Sequence, residues 1–329
     1  MKKILFITAT RIGDAVLSTG ILAHLTSRYP DCRITVACGE VPAPLFTALP
    51  NVVRVIPLRK FAGFGHWALL WLRSVLSWWY MVVDLRGTAL AWFLPTLRRR
   101  IFRGKRRTTT LHRLEEIAHV LRLDDPPLPR LEVSPETRDA AQSLVPKGGF
   151  ILGIGPTANW IGKQWPAENF VALIARLTDV DGLFPGARVA IFGTENERAA
   201  ATSVIDSVPP ERRLDLVGRV DLPTAYACLE RCDFYMGNDS GLMHMAAAAG
   251  LPTLGLFGPS QDSHYAPSGP RAVVVRSRES YETLVGAPDF NHRTTGTLMA
   301  GLAVDTVAAA VVELWERCGK DGQDSASVS

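Results

Sequence analysis

The sequence has few cysteines and no paired cysteine motif, which restricts the kinds of cysteine site that it can contain. Its 329 residues include five cysteines, an odd number, and none of them forms a Cys-x-x-Cys pair. Such a set indicates neither a disulfide framework nor a zinc site. A reducing, cytosolic compartment is therefore expected.

The chain also lacks an uninterrupted apolar run of membrane-spanning length. Its apolar start is broken by Arg11 after about seven residues, which predicts a buried first strand rather than a signal peptide. Residues 61–87 approach spanning length, but glycines, a histidine and an arginine interrupt them. Their β-branched end, "YMVVDL", predicts a strand that follows a helix. Trp71, Trp78 and Trp79 are expected in the core, with an aromatic face at a membrane surface as the alternative.

Two glycine-rich nucleotide-binding motifs are missing as well. No Gly-x-Gly-x-x-Gly follows the first predicted strand, which argues against a dinucleotide-dependent dehydrogenase. The phosphate-binding loop Gly-x-x-x-x-Gly-Lys-Ser/Thr occurs nowhere in the chain. Neither of these two nucleotide-binding classes is therefore expected.

Of the 329 residues, 47% are hydrophobic and 21% are charged. A chain of this length and composition can form one large or two ordinary globular domains, each with its own core. The formal net charge is +4, and the excess is concentrated in "LRRRIFRGKRR" at 97–107. One local anionic partner explains this run better than a surface built for nucleic acid, so no nucleic-acid partner is expected. A solvated surface strand and loop is the alternative.

Short apolar runs alternate with helical patterns along most of the chain. This alternation predicts parallel sheets whose strands are connected by helices, the α/β class. The predicted strands are 2–8, 33–38, 52–57, 80–85, 150–155, 187–193, 214–218, 232–237 and 252–258. The predicted helices include 14–28, 111–122, 167–177 and 303–318.

A stretch rich in proline and charge, residues 123–149, separates the two halves and indicates a linker or domain edge. We therefore expect two doubly wound domains, residues 1–145 and 146–329, and the final helix is a candidate to pack back on the first domain. Two such sheets that face one another leave a cleft, and ligands bind just outside the carboxyl ends of their strands. The functional residues should therefore lie in loops that follow strands.

The first such loop leads to Asp14, at the start of the helix after the first strand. Asp14 is either a helix N-cap that accepts backbone N–H bonds or a carboxylate that takes a proton from a substrate hydroxyl. Gly13 beside it would let a ligand approach the backbone closely.

A second loop, "GPTANWIGKQWPAENF", follows the first strand of the second half. Its Thr157 and Lys163 offer a hydroxyl and an ammonium group beside a helix N-terminus, which is the combination that a phosphate requires. Because a single surface lysine is usually only solvated, Lys163 indicates a site only together with other groups.

A third loop supplies those groups in "GNDSGLMHMAAAAGLPTLGLFGPS", residues 237–260. Between a predicted strand and helix lies a turn of four residues, Asn238, Asp239, Ser240 and Gly241. Their free N–H groups suit a phosphate, and His244, about one turn into the helix, could donate to the same group. The alternative is an ordinary Asx-type cap on a buried helix, which leaves His244 unexplained.

Two acidic stretches are weaker candidates. Asp179 and Asp181 form an Asp-x-Asp string like that of metal-dependent sugar transferases. They come at the end of a predicted helix, before a strand, and therefore lie at the edge of the sheet opposite the expected cleft. For this reason no metal site is predicted there. Glu195 and Glu197 follow a strand on the correct edge and either reach ribose hydroxyls or only favour a helix start. The candidates for ribose or base contacts are Glu195, Glu197, Val220 and Leu222.

Taken in order, these stretches resemble glycosyltransferase family 9, the heptosyltransferase family of lipopolysaccharide core assembly. The resemblance extends over nearly the whole chain and rests on "RIGDAVLSTGIL", "GPTANWIGKQWPAENF" and, most specifically, the 237–260 stretch. It implies a two-domain GT-B fold and an inverting, metal-independent transfer from a nucleotide-activated sugar, usually ADP-heptose, without a cofactor. By this resemblance Asp14 matches the catalytic base and Lys163 the phosphate-binding lysine. The matching donor-phosphate loop is Asp239, Ser240, Gly241 and His244.

The basic run at 97–107 lies in the same half as Asp14, whereas the donor residues lie in the second half. The first domain is therefore expected to bind the acceptor, a lipopolysaccharide-core or related anionic glycolipid, and the second the donor. The protein is expected to be cytoplasmic and in peripheral contact with the cytoplasmic face of the inner membrane. The candidates for the acceptor side are Arg11, Gly13, Arg103, Lys105 and Arg106. Ser240 stands where threonine is common in the family, and "ANWIG" is less charged than in heptose-specific members, which leaves the sugar open. A nucleotide-sugar epimerase and a non-catalytic nucleotide-sugar-binding protein are the alternatives.

Overall fold

The computed structural model of the protein describes residues 1–59, 65–104, 111–287, 290–291 and 294–326, and for 320–326 it gives the helical backbone only. The chain divides into two compact units, Met1–Ser134 and Pro135–Ser329. Each unit contains one parallel sheet with helical connections, as the alternating pattern predicts.

The described residues of the first unit form a five-stranded sheet, and all neighbouring strands are parallel. In chain order its elements are β1 (Lys3–Ile7), α1 (Ile12–Arg28), β2 (Arg33–Gly39), β3 (Val52–Leu58), α2 (Gly65–Ser74), β4 (Trp79–Asp84), β5 (Thr96–Ile101) and α3 (Arg113–Leu121). The strand order is β3-β2-β1-β4-β5. Residues 4–7 of the central strand are fully buried, because an unbroken apolar run can be covered on both faces. The four predicted strands are confirmed, and β5 lies in the arginine-rich run.

The second unit contains six strands in the order β11-β10-β9-β6-β7-β8, again all parallel. Its strands are β6 (Ile151–Gly155), β7 (Arg188–Ile191), β8 (Arg213–Asp215), β9 (Phe234–Asn238), β10 (Thr253–Phe257) and β11 (Ala272–Arg276). Its helices are α4 (Pro135–Leu144), α5 (Ala167–Thr178), α6 (Arg198–Ser207), α7 (Leu222–Leu229), α8 (Gly241–Ala248), α9 (Asp262–Tyr265), α10 (Tyr281–Val285) and α11 (Val304–Ala326). The five strands predicted for this half are confirmed, whereas β11 was not predicted.

The division between the units falls one helix before the predicted boundary at residue 145. Helix α4 lies within the stretch expected to be a linker, and it packs against α7 of the second unit. The closing helix α11 also belongs to the second unit, because Val307, Val311 and Leu314 are buried in that unit's core. Packing of the final helix against the first domain stays a prediction.

The parallel sheets determine where the candidate loops lie. All strands of one sheet end at the same edge, so the loops after neighbouring strands meet there. Strand β6 lies beside β9, and their paired residues run from Leu152 and Phe234 to Gly155 and Gly237. The loop that carries Lys163 and the turn that carries Asp239 therefore leave the sheet side by side.

Helix α1 is held closely against the segment before the second unit, and this contact gives a stability prediction. A methyl group added at Gly20 would meet the carbonyl oxygen of Pro127 and lie 2.7 Å from that of Leu128. Backbone cannot move aside as a side chain can, so Gly20→Ala should lower the free energy of unfolding by about 1–3 kcal/mol or more. Gly319→Ala, in the exposed end of α11 with nothing within 4 Å, should instead raise it by about 0.5–1 kcal/mol. Urea denaturation of both variants checks this, and equal stabilities would contradict the contact.

Candidate active site

A buried asparagine joins the two loops at the edge of the second sheet. Asn238, the last residue of β9, is fully buried. Its Oδ1 accepts a hydrogen bond from the backbone N–H of Trp165 at 2.9 Å, and its Nδ2 donates to the carbonyl oxygen of Pro156 at 2.8 Å. One amide thus fixes both ends of the loop that carries Thr157 and Lys163. These two side-chain hydrogen bonds shape the site, and phosphate binding by Asn238 stays a prediction.

Lys163 and Asp239 form an ion pair across this junction. The Nζ of Lys163 lies 2.5 Å from Oδ2 of Asp239, and the lysine side chain is a quarter exposed while the carboxylate is almost fully buried. A carboxylate removed from water is costly unless it is paired, so the lysine compensates a charge at the carboxyl end of β9. The lysine side chain retains some access to solvent and can therefore also meet a ligand.

The N-terminus of α8 begins directly beside this pair. Ser240 is the N-cap residue in an extended conformation, and Gly241 is the first residue of the helix. The first turn of a helix leaves backbone N–H groups without partners in the helix, and these groups favour an anion. His244 lies in that turn and is buried. The predicted turn, helix and histidine are thus found together.

Thr157 adds a buried hydroxyl after β6. Its side chain is almost fully buried, and its Oγ1 has no hydrogen-bond partner among the described residues. It lies near the end of β7, since a Cβ placed on Gly193 would be 3.4 Å from this oxygen. A buried hydroxyl without a partner costs roughly 1–3 kcal/mol, which a polar ligand would recover.

The two glutamates after β7 differ in their contacts. Glu197 accepts hydrogen bonds from the N–H and Oγ1 of Thr194 at 2.8 and 2.7 Å, so it has the helix-start role that was the alternative for it. Glu195 is largely exposed and lies 3.4 Å from Nε of Arg198. Of the two, Glu195 is the more available to a ligand. Val220 and Leu222 are partly buried, and Leu222 begins α7.

In the first unit Asp14 is held by a buried pair of charges. It lies in the first turn of α1, whose N-cap position is occupied by Arg11, so Asp14 is not the N-cap. Its Oδ1 lies 3.3 Å from Nε of Arg113, and Nη1 of Arg113 lies 2.8 Å from Oε2 of Glu116. Arg113 and Glu116 are buried, whereas the Asp14 side chain is 19% exposed. The arrangement orients a carboxylate and leaves part of it open.

Residues 91–291, more than half of the chain, match the family model of glycosyltransferase family 9 (heptosyltransferase). The chain belongs to glycosyltransferase family 9. Lipooligosaccharide heptosyltransferase 2 of Haemophilus influenzae is 26% identical to it over 313 residues, which cover 83% of this chain and 88% of that protein. A glycosyl transferase family 9 structure from Veillonella parvula aligns with 96% of this chain and 98% of its own, with a TM-score of 0.79 and 21% identity. The E. coli ADP-heptose lps heptosyltransferase II aligns with 96% of this chain and 99% of its own, with a TM-score of 0.73 and 21% identity.

These similarities confirm the family and the glycosyltransferase class that the motifs predicted, together with the GT-B fold. In this family 9 enzyme the Asp-x-Asp string lies where predicted, since α5 ends at Thr178 and Asp179 is its C-cap. Within the described ranges, no group of three or more His, Cys, Asp or Glu side chains could hold a metal ion.

Three of the five residues expected on the acceptor side of this family 9 enzyme lie within the described part of the chain. Arg11 is exposed, Gly13 is partly buried, and the exposed Arg103 lies over the ring of Trp92 at 5.6 Å. Lys105 and Arg106 lie outside the described residues. The neighbouring Arg99 has a structural role, because it donates to the carbonyl oxygens of Ala91 and Leu94.

Sequence reasoning missed one further polar group at the edge of the first sheet. Asp84 ends β4 and is fully buried, and it accepts hydrogen bonds from the N–H groups of Arg86, Gly87 and Thr88 and from the Thr88 hydroxyl. Burial raises the pKa of Asp84, although these hydrogen bonds oppose the shift. The carboxylate fixes the loop after β4. An aspartate directly after the run "YMVV" was the available signal.

Proposed function

We propose that this glycosyltransferase moves a heptose from ADP-heptose to a lipopolysaccharide-core or related glycolipid acceptor, with inversion at the anomeric carbon and without a metal ion or other cofactor. The sugar and the acceptor class are supported by the names of the relatives, which are lipooligosaccharide and lipopolysaccharide heptosyltransferases. ADP-heptose is named for the E. coli enzyme of similar fold. The observation that carries the proposal is the cluster of Lys163, Asp239 and the α8 N-terminus at the ends of β6 and β9.

On the donor side, the diphosphate would bind at the N-terminus of α8. Lys163 lies beside this helix end and would exchange part of its contact with Asp239 for a phosphate oxygen. The Thr157 hydroxyl and His244 would donate further hydrogen bonds, and Glu195 is the candidate for a ribose hydroxyl. The positive charge of the lysine and the helix N–H groups would stabilise the negative charge that develops on the leaving diphosphate.

On the acceptor side, Asp14 would act as the general base. It takes the proton of the acceptor hydroxyl while that oxygen forms a bond to the anomeric carbon, and the bond from that carbon to the diphosphate breaks as ADP leaves. A single displacement of this kind inverts the anomeric centre. Arg113 would keep the carboxylate in one orientation, because its other contact, to Glu116, is buried.

The acceptor is an anionic lipid in this proposal, so the enzyme would work at the cytoplasmic face of the inner membrane. The basic run at 97–107 supports this, since a phosphorylated glycolipid is attracted to clustered arginines. Arg11, Gly13 and Arg103 remain the described candidates on this side. Nucleic acid has no role in the proposal.

An assay of donor turnover tests the proposed function. Incubation with ADP-heptose should release ADP only when a glycolipid acceptor with a free hydroxyl is present, and the rate should be unchanged by a chelator. A change in the sugar without acceptor would indicate an epimerase, and binding without any turnover would indicate a binding protein. Loss of activity on chelation that magnesium or manganese restores would contradict metal independence alone, because the transfer itself would stand.

A further inference from the structure

The exposed apolar side chains of this protein are concentrated in one short part of the first unit. Eight of the seventeen large hydrophobic residues that are exposed in the described part of the chain lie between positions 69 and 97. They are Leu69, Trp71, Leu72, Leu76, Trp78, Trp92, Phe93 and Leu97. They include every exposed tryptophan and phenylalanine among the described residues. We call this set the aromatic face.

The segments that carry the aromatic face are in contact with one another. Helix α2 and the short turn at Ala89–Phe93 contribute Leu70 and Leu90 to one hydrophobic core of the first unit. The indole N–H of Trp71 donates to the carbonyl oxygen of Phe93 at 3.0 Å, which joins the helix to the turn. Arg99 of β5 bonds the carbonyl oxygens of the same turn region, and Leu97 shares its side of the strand. Leu76 and Trp78 follow α2, and the backbone N–H of the adjacent Trp79 donates to the carbonyl oxygen of Pro95, between the turn and β5, at 3.0 Å. The outward side chains of these segments therefore form one surface.

The exposure of these residues is large. Leu76 is 95% exposed, Phe93 70% and Trp78 68%, whereas the neighbouring Trp79 is buried in the core. Each large apolar side chain left in water forgoes the favourable free energy that its burial would provide. An apolar patch of this kind on an otherwise polar surface marks a place where something binds. The sequence expectation of a core position thus holds for Trp79 and not for Trp71 or Trp78.

The charges around the aromatic face indicate the kind of partner. Between residues 59 and 104 there are eight arginines and lysines and a single carboxylate, Asp84, which is fully buried. Arg73 lies on the exposed side of α2, and Arg103 packs over Trp92. Tryptophan, phenylalanine and leucine flanked by arginine is the composition of segments that lie in the interface of an anionic bilayer. No helix in the described part of the chain is long and apolar enough to cross a membrane.

We propose that the aromatic face docks in the plane of an anionic lipid bilayer, with its tryptophan, phenylalanine and leucine side chains among the headgroups and its arginines on lipid phosphates. This docking proposal depends on the proposed function in one respect, namely that the acceptor is a membrane lipid. A docked first unit would hold the enzyme on the surface that contains its acceptor. The face itself needs no donor or acceptor to bind.

Vesicle binding by the full chain tests this proposal. The double variant Trp78→Ser with Phe93→Ser should bind vesicles of phosphatidylcholine and phosphatidylglycerol about ten- to a hundredfold more weakly than the unaltered chain. The matched control, Val41→Ser with Val53→Ser, replaces exposed apolar residues elsewhere in the same unit and should bind as the unaltered chain does. Binding should weaken with added salt and on vesicles of phosphatidylcholine alone. Melting temperatures should be equal, because the replaced side chains are exposed.

Three results would overturn the proposal. Unchanged vesicle binding by the double variant would show that the aromatic face does not contact the bilayer. Equal binding to neutral and anionic vesicles would show that the arginines do not contribute to binding through the lipid charge. Loss of self-association in the double variant without loss of vesicle binding would assign the face to a second copy of the chain. Transfer to an acceptor dispersed in detergent should be unchanged in the double variant, so failure of the proposed function would appear separately, as absent transfer by the unaltered chain.

Discussion

Replacing Asp14 by asparagine should lower kcat about a hundredfold to ten-thousandfold while the dissociation constant for ADP stays the same. The amide cannot take the proton of the acceptor hydroxyl, yet its polar oxygen can keep its place beside Arg113, so the position of the side chain should be preserved. Steady-state rates with saturating donor and acceptor measure the first quantity. ADP titration of the variant measures the second.

A matched control separates the loss of a base from the loss of a charge at a helix start. Asp305 lies in the first turn of α11 and pairs with Arg176 at the surface, so Asp305→Asn makes the same chemical change at the same kind of position. It should leave transfer almost unaltered. If a folded Asp14→Asn enzyme turned over at a near-normal rate, Asp14 would have only a structural role in α1.

Replacing Lys163 by methionine should lower kcat/KM about a hundredfold to a thousandfold and weaken ADP binding, because one positive charge on the leaving diphosphate is lost. The change should also destabilise the protein, since Asp239 would be left almost fully buried without its partner. Initial rates, ADP titration and urea denaturation measure the three effects. Lys147→Met, at an exposed lysine of the same unit, should change none of them.

The double variant Lys163→Met with Asp239→Asn separates stability from catalysis. Removing both charges leaves no unpaired carboxylate, so much of the lost stability should return. Activity should not return, because the positive charge is still absent. Recovery of transfer in the double variant would show that Lys163 serves only to neutralise Asp239.

The elements that could be predicted from the sequence were those with a strong local signal. The interior strands of each sheet are buried on both faces, so they stand out as continuous apolar runs, and β1, β6 and β9 are examples. Edge strands are weaker signals: β11 is only partly buried along its length, and β5 carries three arginines in succession. Helix α4 was missed because its proline and its charges resemble those of a linker, although a proline at the first position favours a helix start.

The candidate site could be predicted only in part, for a similar reason. The order of strand and loop in the chain places Asp14, Lys163 and Asp239 at strand ends, because ligands of parallel sheets bind there. No local sequence pattern indicates which distant residue a side chain will contact in the folded protein. Arg113 reaches Asp14 from another helix, and Asn238, expected in a phosphate turn, uses its side chain to hold a distant loop.

The contacts of Asn238 also bear on how the second unit folds. This residue is 73 positions from Trp165 and 82 from Pro156, so its hydrogen bonds close very long loops. Contacts of such separation form slowly, because chain entropy is lost before they stabilise anything. During synthesis β6 can pair with β7 but lacks its other neighbour, β9, until residue 238 has been added. The proposed donor site is therefore absent from nascent and partly folded chains, and a nucleotide sugar that binds there would retard unfolding without accelerating folding.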